Sequence, residues 1–447
     1  MDNIEINDFL SLAEETYKID PSLFKNYKVK RGLRNADGTG VLAGLTSIGE
    51  VRGYIIDDCD KVPVAGKLLY RGVNIKKIIK NSLEEKRPSF EEAAFLLLFG
   101  KLPTKTEYEK FRRLLGEIRP LPVGFNEDII MKTPCQDIMN KLARSVLSLY
   151  SYDNNPEEIS LDNLLRQSVE LISRMGTIVA YSYHARRHHF DNESLHIHPT
   201  NPENSTAENF LHLIYPNGKF SNEDAELLDL MLTLHAEHGG GNNSAFACRV
   251  VSSTGTDTYS AIASAICSLK GPRHGGANKA VLDMVSEIKE NVKDWENEGQ
   301  VADYLRKIVN KKAGNGSGLI YGMGQAVYTV SDPRASILRT KAEEMAKMKG
   351  FEDEFNLYAL IEQLSPEILC EKWGVKRVVC ANIDLYSGFV YQMLNIPPEL
   401  YTPLFAVSRI VGWCSHRIEE LLTNGKILRP AYKSVCERTE YVAFNDR

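Results

Sequence analysis

The chain lacks long apolar runs and has no excess of positive charge. Its longest apolar stretches, such as "AAFLLLF" at 93–99, are far shorter than the ~20 residues that a membrane-spanning helix needs. The formal net charge is −5, whereas nucleic-acid-binding domains usually carry a basic face. We therefore expect neither a membrane nor a nucleic acid as partner, and the basic run "HARRHH" at 184–189 stays open as an anion site or a loop.

Paired cysteine motifs and a targeting segment are also missing. The first residues, "MDNIEINDFLSLAEE", are acidic and show neither a basic n-region nor an Arg-rich amphipathic pattern. No two cysteines form a CxxC pair, which favours reduced thiols over disulfides or a zinc ribbon. The sequence thus predicts a cytoplasmic protein whose eight scattered cysteines are Cys59, Cys135, Cys248, Cys267, Cys370, Cys380, Cys414 and Cys436.

The sequence has 447 residues, of which 43% are hydrophobic, and the spacing of its apolar residues is mostly helical. "SFEEAAFLLLFGKLP" opens with Ser89 and Glu92 at capping-box spacing, and Asp332-Pro333 is a good start for the helix that follows it. Only the segments 51–57 and 62–75 read as strands, in a small ribbon. We therefore predict a mainly α fold whose clearest helices lie within 221–241, 256–272, 275–292, 332–350 and 401–426.

Three glycine-rich breaks between these helices carry polar side chains. They read "LHAEHGGGNNS" at 234–244, "GPRHGGANKAV" at 271–281 and "YGMGQAVYTVSDPR" at 321–334. Glycines allow the backbone to approach a ligand closely. These breaks are the candidate parts of a site.

The histidines of the breaks each have a functional and a structural interpretation. His274 precedes a helix N-terminus, where the dipole disfavours an imidazolium; a neutral ring can donate to a developing oxyanion, although a capping or exposed His would also fit. His235 and His238, three residues apart, could share one helix face, but a metal site needs further ligands and the pattern is not HExxH. A polar or substrate-binding role is therefore favoured, and no metal is expected.

One carboxylate and three arginines complete the candidates. Asp384 lies among apolar residues in "CANIDLYSGF", where burial would raise its pKa towards that of a useful base. A helix-start Asp would look the same. Guanidinium groups bind carboxylates in pairs of hydrogen bonds. The three arginines are Arg334, Arg409 and Arg429. If their side chains converge in the fold, they suggest a ligand with two carboxylates.

Taken together and in this order, the three breaks, "NIDLYSGFVY" and "LFAVSR" resemble the citrate synthase family from about residue 30 onwards. The resemblance implies an all-α homodimer with a large helical domain (1–274 and 384–447) and a small domain (275–383) that closes over the substrates. It also implies an acyltransferase of the tricarboxylic acid cycle. The reaction would be a Claisen-type condensation of acetyl-CoA with oxaloacetate, followed by hydrolysis to citrate and CoA.

The resemblance also implies roles for individual residues. Asp384 matches the base that deprotonates the thioester methyl group, and His274 matches the hydrogen-bond donor to the enolate oxygen. His238, Arg334 and Arg409 match oxaloacetate-binding residues, and Arg429 matches an arginine that the partner subunit contributes. No cofactor is tightly bound, because CoA is a co-substrate. Its loop would contain Gly314, Gly316, Gly318, Gly322 and Gly324, with no individual CoA-binding arginine transferred.

Gln325 is the departure, because the family has a catalytic histidine at that position. An amide can donate a hydrogen bond to the ketone of oxaloacetate but cannot supply a proton. General acid catalysis is typically worth ~10²–10⁴ in rate, so lowered turnover with retained binding is expected.

Other activities fit the same residues. A 2-methylcitrate synthase would use propionyl-CoA, and one methylene changes binding by only ~1–3 kcal/mol. A non-catalytic protein that senses oxaloacetate or CoA is a second alternative, which the retained Asp384 and His274 disfavour. A metal hydrolase built on His235 and His238 is a third.

Overall fold

The structure, a computed structural model, describes residues 9–57, 60–325, 327–375, 377–423 and 425–447. Chain contacts divide these residues into two units, 9–45 and 46–447. The first unit contains two short helices and a turn, and the carboxylate of Asp20 caps the second helix by accepting the backbone N–H of Ser22. The predicted division into 1–274 with 384–447 and 275–383 stays a prediction.

The three strands form one small antiparallel sheet in the order β1-β2-β3. They are β1 (Gly49–Asp57), β2 (Asp60–Tyr70) and β3 (Val73–Asn74). Gly49 pairs with Tyr70, and the register shifts between Arg52 and Tyr54. The predicted ribbon is confirmed.

Seventeen α-helices make up the rest of the regular structure in the described ranges. They are α1 (Leu10–Thr16), α2 (Pro21–Asn26), α3 (Ile75–Glu85), α4 (Phe90–Phe99), α5 (Lys105–Glu117), α6 (Ile138–Leu149), α7 (Leu161–Asp191), α8 (Thr206–Ile214), α9 (Asn222–His235), α10 (Asn243–Ser252), α11 (Thr258–Lys270), α12 (Ala277–Asn291), α13 (Glu298–Val309), α14 (Pro333–Lys349), α15 (Glu352–Trp373), α16 (Asp384–Met393) and α17 (Tyr401–Thr423). Short 3₁₀ or π turns occupy Arg31–Leu33, Asn126–Met131, Tyr150–Tyr152, Pro398–Leu400 and Phe444–Asp446.

The predicted helices are confirmed, but one predicted cap is wrong. Helix α4 begins after Ser89 as expected, yet the Ser89 hydroxyl donates to Asp229 at 2.7 Å instead of capping its own helix. The carboxylate of Asp229 accepts the backbone N–H groups of Ser89 and Phe90, and Glu92 pairs with Arg87. A side chain 140 positions away therefore replaces the local capping box.

Helix α17 runs through the core of the second unit. It packs against α4, α7, α9, α10 and α11. Its buried side chains include Trp413, but also two arginines, Arg409 and Arg417, and His416. Buried charge is costly unless it is paired. These buried polar side chains therefore mark the region around α17 as a candidate site.

Two further sequence predictions concern membrane-spanning helices and thiols. No helix within the described part of the chain combines the length and apolar character needed to cross a membrane. Seven cysteines have free thiols. Cys59, Asn424 at the expected end of α17, and residues 1–8 of the acidic start lie outside the described residues.

Candidate active site

Asp384 is the first residue of α16, and its backbone N–H donates to the side-chain oxygen of Asn382 at 2.9 Å. Burial raises the pKa of the Asp384 carboxyl to about 6, against the opposing charges of Arg334 and Arg409. The carboxylate is thus ionised at neutral pH and more basic than an ordinary aspartate. Those are the properties required of a general base.

His274 lies in the turn before α12, where its backbone N–H donates to Gly271. Burial, together with the charge of Arg409, lowers the pKa of His274 to about 4. The ring is therefore neutral, as the sequence predicted, although desolvation rather than the helix dipole is the leading cause.

A buried serine fixes the orientation of the His274 ring. Ser244 Oγ lies 3.2 Å from His274 Nε2, accepts the indole N–H of Trp413 and donates to Asn242 Oδ1 at 2.9 Å. A hydroxyl has a single proton to donate. Which acceptor receives it decides the tautomer of His274.

His235 and His238 do not share a helix face, because α9 ends at His235. The Nδ1 of His235 is bonded to the Met231 carbonyl, so its Nε2 is an acceptor, and burial lowers the pKa of His235 to about 3. Burial, with Arg334 and Arg409 nearby, also lowers the pKa of His238 well below its ordinary value. The Nε2 atoms of both rings are buried, and neither has a hydrogen-bond partner in the part of the chain that the structure describes. No group of three or more His, Cys, Asp or Glu side chains suited to a metal ion occurs among the described residues.

Arg409 is the most unusual side chain of the site. It is 1% exposed, and its Nε donates to the His235 carbonyl at 2.6 Å, while Nη1 and Nη2 have no hydrogen-bond partner among the described residues. Burial lowers the pKa of Arg409 to about 10, so the group remains cationic at neutral pH. A buried cation with two free amino groups fits an anionic ligand, because leaving such groups unpaired is costly.

Arg334 is paired within the chain. Its Nε and Nη2 donate to the two carboxylate oxygens of Asp332 at 3.1 and 2.8 Å. Burial lowers the pKa of Arg334, but the charge of Asp332 raises it further, so the net shift is upward. One amino group, Nη1, is outside this bidentate pair. The positive charges of Arg334 and Arg409 both lower the pKa of Asp384 and the pKa of His238. The two arginines therefore act on the same site.

Gln325 joins this pair from the glycine-rich loop. Its Nε2 donates to Asp332 Oδ2 at 2.8 Å. An amide has two N–H groups; one donates to Asp332, and the other, which has no hydrogen-bond partner among the described residues, remains for a ligand. Sequence reasoning saw Asp332 only as a helix cap, which it is, since it accepts the backbone N–H of Arg334. It missed that the same carboxylate also accepts hydrogen bonds from the side chains of Gln325 and Arg334.

The loop itself is built on left-handed glycines and is attached to the start of α16. Its glycines have φ between +69° and +82°, and they are Gly314, Gly316, Gly318, Gly322 and Gly324. Asn382 donates its backbone N–H to Gly322 and its side-chain amide to Gly324, and a Cβ on Gly322 would lie 2.9 Å from Leu385. The loop and Asp384 are therefore positioned together.

The β-hairpin supports the same loop from the other side. The backbone N–H of Gly66 donates to the Ser331 carbonyl at 3.1 Å, and the Tyr328 hydroxyl donates to the Lys67 carbonyl. A Cβ on Gly66 would fall well inside van der Waals contact of the Ser331 oxygen. This support was not predicted, because hairpin and loop are 265 positions apart.

Arg429 is the candidate that the structure does not bring to this cluster. It is exposed in the extended segment after α17, where the preceding Leu428 donates its N–H to Ser253 at 3.0 Å. The cluster within one chain thus consists of Asp384, His274, His238, Arg409 and the Arg334–Asp332–Gln325 group.

Comparison with known proteins places the chain in a family. A model of the citrate synthase C-terminal domain matches residues 36–431. A citrate synthase from Synechocystis sp. is 35% identical over 405 residues, or 85% of this chain and 90% of the relative. A 2-methylcitrate synthase from Shewanella oneidensis is 30% identical over 371 residues, or 83% of this chain and 89% of the relative.

A solved structure agrees with the sequence comparisons. It is a citrate synthase from Thermoplasma acidophilum in a ternary complex with carboxymethyl coenzyme A and oxaloacetate. It matches with a TM-score of 0.75 at 26% identity, covering 94% of this chain and 99% of its own. The chain belongs to the citrate synthase family.

Proposed function

We propose that the protein is a citrate synthase that condenses acetyl-CoA with oxaloacetate and hydrolyses the resulting citryl-CoA to citrate and CoA. The observation that supports this most is the buried Arg409, whose two amino groups have no partner among the described residues. Oxaloacetate offers two carboxylates and one ketone oxygen. Arg409 and the remaining amino group of Arg334 suit the carboxylates, and His238 Nε2 supplies a further polar contact.

Asp384 would act as the base of the first step. A carboxylate with a pKa of about 6 removes a proton from the thioester methyl group and leaves an enolate. The carbon of the enolate then attacks the ketone carbon of oxaloacetate. A carbon–carbon bond forms, and the ketone oxygen becomes an alkoxide that needs a proton.

His274 would stabilise the enolate oxygen by donating a hydrogen bond. For the ring to donate from Nδ1, Nε2 must accept, so the Ser244 hydroxyl proton must turn from Asn242 to His274. The contacts of Ser244 permit either orientation, because Trp413 needs only a lone pair of the hydroxyl.

Gln325 would be the weak point of the second step. Its free N–H can polarise the ketone, but water must supply the proton that the family's histidine would provide. We expect turnover to be lower by ~10²–10⁴, whereas oxaloacetate binding is retained because the arginines are present.

The remaining parts of the proposal concern the whole enzyme. The loop 314–324 would receive CoA as co-substrate, and no tightly bound cofactor takes part. The small domain, 275–383, would close over the large one. Arg429 would reach the site of the partner subunit in a homodimer, and the enzyme would work in the cytoplasm.

A 2-methylcitrate synthase is the second candidate. A relative of that name is 30% identical to this chain, only 5 percentage points below the citrate synthase at 35%. The two reactions differ by one methylene in the acyl group, so the same residues would serve both. A catalytically weak protein that binds oxaloacetate or CoA on the same fold is a further alternative.

A thiol-release assay distinguishes these candidates. The parent protein and the Gln325→His variant would each be given oxaloacetate with acetyl-CoA or with propionyl-CoA. We expect slow release with acetyl-CoA that rises at least ~100-fold in Gln325→His, and no such rise in Gln325→Asn, which keeps an amide. Faster release with propionyl-CoA would favour the second candidate, and tight oxaloacetate binding without any release would favour the binding protein.

A further inference from the structure

A connected group of buried polar side chains begins at Glu237, next to His238, and has no part in the proposed chemistry. Glu237 and His416 are 0% exposed, and Arg249 and Glu420 are 8% exposed. Glu237 precedes His238, Arg249 lies on α10, and the other two lie on α17. The group connects three elements that meet at the site.

The direction of the hydrogen bonds fixes the protonation of this group. The Nε and Nη2 of Arg249 lie 3.2 and 2.7 Å from His416 Nδ1. A guanidinium can only donate, so Nδ1 is the acceptor and the ring carries its proton on Nε2. That proton is donated to Glu237 Oε1 at 2.9 Å. His416 is thereby a neutral ring between a cation and a carboxylate.

Two carboxylates hold the Arg249 end of this group. Arg249 forms ion pairs with Glu420, at 2.8 Å, and with Glu419. Glu419 also accepts the backbone N–H and the hydroxyl of Ser47, each at 2.7 Å. Arg249 is therefore held by two carboxylates while it donates to His416.

The near end of the group fixes the backbone beside His238. Glu237 Oε1 accepts the N–H of Gly239, so one carboxylate bonds across His238. Burial raises the pKa of Glu237, but His416, Arg409 and the Gly239 N–H together lower it further, which keeps the carboxylate ionised. Gly239 has a φ of +85°, and such a turn depends on local bonds to hold its shape.

The side chain of Glu237 is packed closely against two glycines. A Cβ on Gly412 would fall well inside van der Waals contact of Glu237 Oε2. A Cβ on Gly49 would lie 2.8 Å from Glu237 Cγ. The carboxylate thus sits in a closely fitted space between α17 and β1.

We infer that the Arg249–His416–Glu237 relay positions His238, together with the adjacent Arg409, for the carboxylates and ketone of oxaloacetate. His416 and Glu237 are positioning residues, which act on the ligand through the turn at His238. This inference rests on the proposed function. Misplacement of a group at an active site by about 1 Å can lower the rate ~10²-fold. Because His238 would bind oxaloacetate, we expect loss of the relay to weaken oxaloacetate binding to a similar extent and to leave the acyl-CoA loop unaffected.

The test compares oxaloacetate binding in matched histidine variants of the full chain. His416→Leu removes both hydrogen bonds, whereas His416→Gln can accept from Arg249 with its oxygen and donate to Glu237 with its amide. His184→Leu is the control, because His184 is also a buried histidine, 4% exposed and bonded to the Leu213 carbonyl, but lies on α7. Oxaloacetate dissociation constants would be measured by calorimetry, and KM values for acyl-CoA by thiol release.

We expect the oxaloacetate dissociation constant to rise by about tenfold to a hundredfold in His416→Leu. The KM for acyl-CoA should stay within about twofold, and His416→Gln should restore most of the affinity. An equal loss in the control His184→Leu, an equal rise in both substrates, or unchanged affinity in folded His416→Leu would overturn the relay. A parent protein that does not bind oxaloacetate at all would instead overturn the proposed function.

A glycine pair keeps the inference testable if His416→Leu does not fold. Gly412→Ala would displace Glu237 while removing no polar group, and Gly176→Ala places a Cβ 3.6 Å from its nearest neighbour, Phe210, on a helix that also packs against α17. We expect weaker oxaloacetate binding in Gly412→Ala alone. Equal affinity in both glycine variants would contradict the relay.

Discussion

Asp384 and Arg409 are buried, and burial shifts the pKa of each towards the uncharged form. Burial raises the pKa of Asp384 to about 6 and lowers that of Arg409 to about 10. Both groups nevertheless remain ionised at neutral pH. A base that is more basic than usual, and a cation whose two amino groups have no hydrogen-bond partner among the described residues, are costly for the folded chain. Both are useful for deprotonating a methyl group beside an anion.

The first prediction concerns the stability cost of Asp384. Its pKa is raised in the folded state, so stability is fully present below the ordinary value of 3.8 and is lost as pH rises through about 6. The difference between the ordinary pKa of 3.8 and the folded-state pKa of about 6 corresponds to roughly 3 kcal/mol of the free energy of unfolding at high pH. Asp384→Asn should therefore unfold at a higher denaturant concentration than the parent at pH 8, and the difference should shrink as pH is lowered below about 6.

The same pKa sets the pH dependence of activity. Protonated Asp384 cannot accept a proton, so kcat/KM for the acyl-CoA should fall as pH decreases through about 6, and Asp384→Asn should be inactive at every pH. A flat rate profile between pH 5 and 8, or a stability gain in Asp384→Asn that does not change with pH, would argue against Asp384 as the base.

At the scale of elements, the hairpin β1–β2 and the glycine-rich loop act as one wall of the site. Gly66 donates to Ser331, next to the Asp332 that holds Gln325 and Arg334. Because the hairpin contact is made by backbone atoms, its precision depends on the absence of a side chain at Gly66.

Gly66→Ala should therefore displace the loop. We expect KM for oxaloacetate to rise by about tenfold or more and kcat to fall. Gly72→Ala is the control, because Gly72 lies at the β2–β3 turn with φ +83° and nothing within 4 Å of its Cβ position, so it adds strain without a clash. A larger kinetic effect in Gly72→Ala than in Gly66→Ala would refute this role of the hairpin.

Features that depend on residues close together in the sequence could be predicted, whereas contacts between residues far apart in the sequence could not. Asp384 and His274 became candidates because a possible helix start and a glycine-rich turn are local patterns, and α16 begins at Asp384 while α12 begins shortly after His274. Ser89 was misassigned because Asp229 competes for it from another helix. His416 was missed because its partner Glu237 is 179 positions away, and no local pattern predicts that pairing.

At the scale of the molecule, the proposal places Arg429 in the site of the partner subunit, and within one chain Arg429 is exposed and separate from the cluster. Arg429→Ala and Asp384→Asn should each abolish activity alone. In a mixed dimer, one site would combine an intact Asp384 with the partner's intact Arg429, whereas the other site would have neither.

Co-expression of the two inactive chains tests this arrangement. Random pairing gives half mixed dimers with one complete site each, so roughly a quarter of the parent's activity should return. Activity that stays at the level of the separate variants would show that Arg429 does not act across an interface. Separately refolded and unmixed variants serve as the control.

The central claim is that the enolate-forming half of the site is intact and only the ketone-polarising half is impaired. Exchange of the thioester methyl protons of acetyl-CoA with deuterium oxide measures the first half alone, when malate, which has a hydroxyl in place of the ketone, fills the oxaloacetate site. We predict exchange rates within a fewfold in the parent and in Gln325→His, and no exchange in Asp384→Asn. Absence of exchange in the parent with full exchange in Gln325→His would contradict the account.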